Sequence, residues 1–395
     1  MAKRIAINCG GGYAPGLNAV VMGAVRAASR LGWEVVGIHD GFDGVLAPDR
    51  YQGGGKVALD LDLIARLDGG AGLLGTGARI DPFRVRRVSD QGFVEETDRS
   101  DDLIATLRRD GVDAVVSIVG GSAITGAHAL SVAYKLSRKG LPIVCVPKSA
   151  ENDIAATAMS LGASSALAYV IETLERLRAA ARDVRRVAVV EVPGREAGWL
   201  ALQAGLAVCA DVVLIPEIAY DLAVVGATLR RAEAEGRRPC LVVVAEGAQP
   251  IAAHDNRPPS AMRRSLSPLA EPEYGEGAAV IERAGRAGHD LAVSIRAMTD
   301  LEAVPTPLNA LARAGAPNAI DRQLGVGYGA AAIRALERGQ TGVLVALQPP
   351  DLKVVPLSEA INRVRTVPRD GEFARIARAI GICLGDVDTG AHDVG

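Results

Sequence analysis

The chain has 395 residues, with 49% hydrophobic and 23% charged, an ordinary globular composition that excludes a wholly disordered polypeptide. Lys plus Arg number 44 against 46 Asp plus Glu, a formal net charge of −2, and only 3% of residues are aromatic. These figures argue against bulk attraction to nucleic acid or a membrane surface and against base-stacking platforms, while leaving room for a local basic pocket. At roughly 150 residues per domain the length predicts about two or three domains.

The opening MAKRIAINCGGGYAPG carries too short an apolar stretch for a signal peptide, and no apolar run approaches the length of a spanning helix. Cys9, Cys145, Cys209, Cys240 and Cys383 include no Cys-x-x-Cys pair and are odd in number. They predict reduced thiols rather than a disulfide framework or zinc site, and the chain is expected to be soluble and cytoplasmic, with no membrane or nucleic-acid partner.

In chain order, RIAINC (4–9) is a short apolar strand, followed by a Gly-rich turn and an amphipathic segment from about Leu17 to Leu31. WEVVGIHD (33–40) is the next strand, ending at the turn GFDGV. The stretch 51–100 reads as irregular. DDLIATLRRDG is a helix stopped by Gly111, DAVVSIVGG (113–121) a buried strand, about Ile124 to Arg138 a helix, and LPIVCVPK (141–148) a strand. This alternation of helices with continuously apolar strands predicts a parallel sheet covered on both faces.

The pattern then repeats. A helix over about 158–182 precedes RRVAVVEVPG (185–194), a helix near 197–209 precedes DVVLIPE (211–217), and a helix near 220–235 precedes PCLVVVAEGA (239–248). A second α/β domain is predicted. Residues 250–275, rich in Pro, Arg and Ser, read as a surface loop, and the tail after Gly385 as frayed.

Ligands of open parallel sheets bind outside the carboxyl ends of the strands. Four segments with chemical potential fall there: Gly10-Gly11-Gly12 through Asn18, Gly120 through Gly126, Pro147-Lys148-Ser149-Ala150-Glu151-Asn152-Asp153, and Glu191 through Trp199. Glycines admit close approach of an anion to backbone N–H groups at a helix start. Taken singly, each is equally a strand-to-helix turn, Glu151 and Asp153 are equally a capping loop, and each arginine is equally a solvated charge. No Gly-x-Gly-x-x-Gly or Walker lysine pattern is present. Trp199 reads as packing, and the five histidines show no ligand spacing.

Taken together, these segments resemble the 6-phosphofructokinase family. GGYAPGLNA is similar to GGDxPGLNA, GGAGLLGTGAR to GGTxLGSSR, IVGGSAITGA to IGGDGTxxGA, and VPKSAENDI to IPKTIDNDI. VVEVPGREAGWLALQAGLA is similar to VVEVMGRxAGWLALxAGLA, and LNALARAGAPNAIDRQLG to LGHxQRGGxPxxxDRxLA. The resemblance implies an α/β fold of two similar Rossmann-like domains with mainly parallel sheets, the active cleft lying between them. It implies a donor-phosphate domain at 1–162 plus 311–361 and an acceptor domain at 163–310 plus 362–395.

The implied activity is phosphoryl transfer from ATP or pyrophosphate, with Mg2+, to a hydroxyl of a sugar phosphate or related polyol phosphate. By resemblance Glu151 stands at the base position beside Ser149, Asp153 at the second carboxylate and metal position, and Arg195 at the reacting centre. Gly11, Gly12, Arg79, Arg84, Gly121, Ser122 and Lys148 would face the donor. Arg186, Gly194, Glu246 and Arg313 would face the acceptor. A neighbouring subunit contributes to that pocket in bacterial relatives, so a homo-oligomer, dimer or tetramer, is implied.

Departures accompany the likeness. Ser122 replaces a magnesium-site Asp, and a hydroxyl lacks the anionic oxygen a hard cation prefers. Ala123 and Ile124 replace Gly and Ser/Thr, and Tyr13 replaces an Asp. Glu151 is one methylene longer than the family's Asp. Ala310 and Ala312 stand for His and Gln, and Val304 for an earlier Arg. Lys148 matches the pyrophosphate branch, whereas Ala123 leaves room for a nucleotide. The expected function is therefore a phosphotransferase with altered donor or acceptor specificity. The alternatives are an inactive ligand-binding relative, or a cleft turned to non-transfer chemistry on a phosphorylated substrate.

Overall fold

A computed structural model describes residues 3–67, 72–76, 81–88, 94–120, 127–237, 241–251, 285–361 and 363–386. The strands are β1 (Arg4–Gly10), β2 (Glu34–Ile38), β3 (Lys56–Ala58), β4 (Val85–Val88), β5 (Val94–Thr97), β6 (Ala114–Gly120), β7 (Ile143–Lys148), β8 (Arg186–Val192), β9 (Val212–Leu214), β10 (Leu241–Ala245), β11 (Glu302–Pro307), β12 (Val343–Gln348) and β13 (Asp351–Pro356). The longer helices are α1 (Leu17–Arg30), α2 (Ser100–Arg109), α3 (Ala127–Arg138), α4 (Ala163–Asp183), α5 (Trp199–Ala207), α6 (Leu222–Ala234), α7 (Arg286–Thr299), α8 (Ala319–Glu337) and α9 (Glu372–Ala379). The chain divides into two compact units. The first holds Met1–Ser149, Ile154–Ser165 and Ala314–Val364; the second holds Ala150–Asp153, Ala166–Arg313 and Arg365–Gly395.

The first unit is built on a seven-stranded sheet in the order β13-β12-β7-β6-β1-β2-β3. Its five inner strands run parallel, and β3 and β13 add antiparallel edges. Every residue of β6 is buried, as a strand covered on both faces requires. One face packs Leu17, Val20 and Val21 of α1 and Tyr328 and Ile333 of α8; the other packs Leu103 and Leu107 of α2 and Leu136 of α3. Helices α1 and α8 approach backbone to backbone. A Cβ on Gly329 would fall 2.1 Å from the Val20 carbonyl oxygen, and one on Gly23 2.2 Å from that of Val326, so only glycine fits at the crossing.

The second unit carries a four-stranded parallel sheet in the order β11-β8-β10-β9. Val189, Val242 and Val244 meet Leu229 of α6 and Leu291 and Ile295 of α7 in its core. Pro305 and Pro307 sit in β11, the edge strand, where a missing N–H is tolerated.

Two readings of the sequence need correction. The stretch 51–100 contains β3 and the antiparallel β4–β5 hairpin, whose three or four residues per strand leave no legible alternation. The helix expected from about 158 starts at Ala163, because Gly162, with φ of 92°, turns the chain immediately before it.

That start is held by a buried carboxylate. Asp321 accepts hydrogen bonds from the N–H of Gly162 (2.8 Å) and from the N–H (2.7 Å) and Oγ (2.6 Å) of Ser165. Glu191 does the same for α7, accepting from the N–H of Gly285 (2.6 Å) and Gly288 (2.7 Å). Glu217 caps α5 through the Gly198 N–H (3.0 Å) and also takes the Val367 N–H (2.7 Å). Burial pushes all three carboxyls up, and the N–H donors oppose it. Asp321→Asn would set an amide donor against those N–H groups. A loss of about 1–3 kcal/mol is expected, read as a lower urea midpoint at unchanged m-value.

Cys9, Cys145 and Cys383 are buried and Cys209 is exposed, all four outside any disulfide, while Cys240 lies outside the described residues. Most of 250–275 and the tail beyond 386 also lie outside them. Among the described residues no helix is long and apolar enough to cross a membrane.

Candidate active site

In the first unit, β1 and β7 flank β6, so the loop after β1 and the end of β7 come together at the carboxyl edge of the sheet. Lys148, the last residue of β7, is 2% exposed. Its Nζ donates to the carbonyl oxygens of Gly11 (3.0 Å) and Gly12. These carbonyls offset part of the cost of burying an ammonium group and tie the glycine loop to β7. The neighbouring Cys9 thiol is pushed up by burial, with Lys148 pulling the other way. Tyr13, which follows the loop, donates from its hydroxyl to the Gly315 carbonyl (3.3 Å), and burial pushes its phenol up. Ser149 is buried, and its N–H donates to the Leu161 carbonyl (3.0 Å).

In the second unit, the short segment 150–153 presents Glu151 and Asp153, each 3% exposed. Glu151 Oε1 accepts from Arg313 Nη2 at 2.5 Å, and Oε2 accepts from the Arg195 backbone N–H at 3.4 Å. Arg195 Nε lies 3.7 Å from Glu246 Oε1. Two ion pairs, Glu151–Arg313 and Arg195–Glu246, are thus joined through the Arg195 backbone N–H, with Glu151 buried and the other three partly buried. Arg195 follows β8 and Glu246 follows β10, and the two turns are laced together. The Glu246 N–H donates to Val192 and the Gly247 N–H to Gly194, both at 3.0 Å. A Cβ on Gly247 would lie 1.9 Å from the Arg195 carbonyl oxygen, so this approach requires glycine. Burial and then the Glu151 charge push the Glu246 carboxyl up to about 7, with Arg195 and Arg313 opposing.

The arrangement pairs a buried carboxylate able to accept a proton with guanidinium groups able to receive developing negative charge. Among the described residues no group of three or more His, Cys, Asp or Glu could cage a metal ion. Mg2+ does not need such a cage, since it is commonly held by one or two carboxylates together with substrate phosphates.

The sequence profile of the Phosphofructokinase family matches residues 4–336. The chain belongs to the phosphofructokinase family. It is 36% identical over 384 residues to an ATP-dependent 6-phosphofructokinase of Chloroflexus aggregans, covering 97% of this chain and 98% of that protein. It is 35% identical over 390 residues to ATP-dependent 6-phosphofructokinase 1 of Synechocystis, covering 97% and 99%. The fold is similar to phosphofructokinase from Saccharomyces cerevisiae, with a TM-score of 0.69 at 25% identity over 91% of this chain and 45% of that longer one. It is also similar to the pyrophosphate-dependent phosphofructokinase of Marinobacter aquaeolei, with a TM-score of 0.69 at 19% identity over 98% and 93%.

Not every residue singled out in this phosphofructokinase-family chain joins these groups. Arg84, exposed just before β4, pairs with Glu96 of β5 at 3.1 Å. Arg186 opens β8, at the strand end opposite Gly194 and Arg195, and pairs with Glu302 at 2.8 Å. Arg79, Gly121 and Ser122 lie outside the described residues, as do Ala123 and Ile124. The sequence reading overlooked Arg365, which donates from its backbone N–H to Asp153 O (2.8 Å) and from Nη1 to Asn152 O (3.2 Å). Nothing near Arg365 in the sequence marks it; only the fold brings it to the 150–153 segment.

Proposed function

We propose that this chain transfers a phosphoryl group from ATP or pyrophosphate to a hydroxyl of a sugar phosphate or related polyol phosphate. The observation that carries this reading is Glu151, buried and held by Arg313 and the Arg195 N–H, with Glu246 on the far side of Arg195. In the second unit Glu151 takes the acceptor's proton, Arg195 receives charge as the phosphoryl group moves, and Glu246 and Gly194 hold acceptor hydroxyls. In the first unit the Gly11–Gly12 loop and Lys148 hold donor phosphates, with Gly121, Ser122, Arg79 and Arg84 assigned to the same side. Mg2+ would sit with Asp153 and neutralise donor phosphate charge.

ATP is the favoured donor, because relatives at 34–36% identity are named ATP-dependent. Lys148 is the cue for pyrophosphate. An altered acceptor is supported by Ala310 and Ala312 at the family's His and Gln positions and by Arg313 being committed to Glu151. The protein would act in the cytoplasm as a homo-oligomer, dimer or tetramer. Arg186 stands about 20 Å along β8 from the Arg195 end, so it would serve the acceptor of a neighbouring copy.

The test is a coupled assay with Mg2+, ATP or pyrophosphate, and fructose 6-phosphate followed by a panel of sugar and polyol phosphates. Phosphorus NMR would identify the product. Turnover with ATP and at least one acceptor is expected. Binding without donor consumption would favour the inactive reading, for which Ser122 in place of an acid is the supporting observation. An acceptor changed without donor consumption would mean non-transfer chemistry.

A further inference from the structure

Arg365 bridges Trp199 and the 150–153 segment. Its guanidinium carbon lies 4.0 Å from the centroid of the Trp199 ring, whose Nε1–H donates to the Arg365 carbonyl at 2.7 Å. Its backbone N–H and its Nη1 donate to the consecutive carbonyls of Asp153 (2.8 Å) and Asn152 (3.2 Å). Phe373 closes the outer side of Trp199, edge-on at 6.1 Å.

The two carbonyls belong to the peptide planes on either side of Asp153. Holding both fixes the Asp153 backbone dihedrals and therefore the direction in which its carboxylate leaves the chain. One residue upstream, Asn152 has φ of 54°, in the left-handed region that asparagine tolerates better than most side chains. Glu151 hangs from that residue. On its other side, Trp199 opens α5, four residues after Arg195. Arg365 therefore links the backbone beneath Glu151 and Asp153 to the element that follows Arg195. A guanidinium suits this task because its plane stacks on an indole while its edge donates to a carbonyl, which an ammonium cannot do.

We propose that Arg365, stacked on Trp199 and bonded to the Asn152 and Asp153 carbonyls, is a positioning residue that sets Asp153 and Glu151 in register with Arg195. What the register serves rests on the phosphotransfer reading; the clamp itself does not.

The test compares wild type, Arg365→Ala and Arg365→Lys by two measurements. Amide hydrogen exchange is followed at residues 195 and 365, whose N–H groups donate to Glu151 and Asp153. Turnover is followed with Mg2+, ATP and fructose 6-phosphate, with and without guanidinium ion below denaturing concentration. Arg365→Ala is expected to exchange about tenfold faster at those amides while β8 and β10 keep their protection. Its kcat should fall about 100-fold with both KM values little changed, and guanidinium should restore part of it. Arg365→Lys should be intermediate.

Unchanged exchange at both amides overturns the proposal. So does wild-type kcat in Arg365→Ala, or exchange that rises throughout the second unit, which would make Arg365 a general stability residue. If Arg365→Ala does not fold, Arg365→Lys carries the same two measurements. The exchange arm needs no turnover, so a wild-type protein inactive in the assay would sink the phosphotransfer reading while the clamp is still decided. Conversely, a Glu151→Gln variant as active as wild type would remove the base role and leave the exchange result standing.

Discussion

Replacing Glu151 with Gln is expected to lower kcat about 100- to 10,000-fold, the range for losing a positioned general base. Gln keeps the length of the side chain and an oxygen facing Arg313, so the segment and the acceptor KM should change little. What it loses is the capacity to take a proton. Glu151→Asp tests the added methylene: it retracts the carboxylate by about 1 Å, weakening the Arg313 contact, and should also lose much of the rate. Steady-state assays of both variants would decide the matter. A Gln variant matching wild type in kcat would remove Glu151 from the chemistry.

The second large effect concerns pH. Folding raises the Glu246 carboxyl from 4.5 to about 7, through burial and the Glu151 charge. Between those values the native chain holds a proton that the unfolded chain has released. The associated stability is complete below about 4.5, falls as pH rises through the window and levels above about 7. The span corresponds to about 3 kcal/mol. Glu246→Gln cannot ionise, so relative to wild type it should gain about that much between pH 5 and pH 8, measured by urea denaturation at each pH. The same series in Glu151→Gln should move the window downward, because the neighbouring negative charge has gone. An identical pH slope in wild type and Glu246→Gln would mean that this carboxyl is not the group that titrates.

Much of the fold was legible because buried parallel strands write themselves as unbroken apolar runs. RIAINC, DAVVSIVGG and LPIVCVPK correspond to β1, β6 and β7, and the glycine turns mark the carboxyl ends. Helix α8 left no such trace. Leu324, Tyr328, Ala332, Ile333 and Leu336 lie inside, but its exposed face mixes Arg322, Gln323, Arg334 and Glu337 with Ile320 and Val326, so no clean polar stripe sets its period. The capping carboxylates were opaque for another reason. Asp321 and Glu191 read as unremarkable acids until their partners arrive from 159 and 97 residues away.

The same division holds at the candidate site. Sequence by itself determined which chemical groups lie on strand-end loops, since a motif such as Pro-Lys-x-x-x-Asn-Asp is local and needs only neighbouring residues to be recognised. Tertiary structure alone decided which of those groups meet: Glu151 with Arg313 across 162 residues, Trp199 with Arg365 across 166, and Arg186 far along its strand from Arg195. The physical reason is that chain order specifies a loop's contents, whereas pairing between loops depends on the order and register of strands in a sheet, which many distant contacts set together.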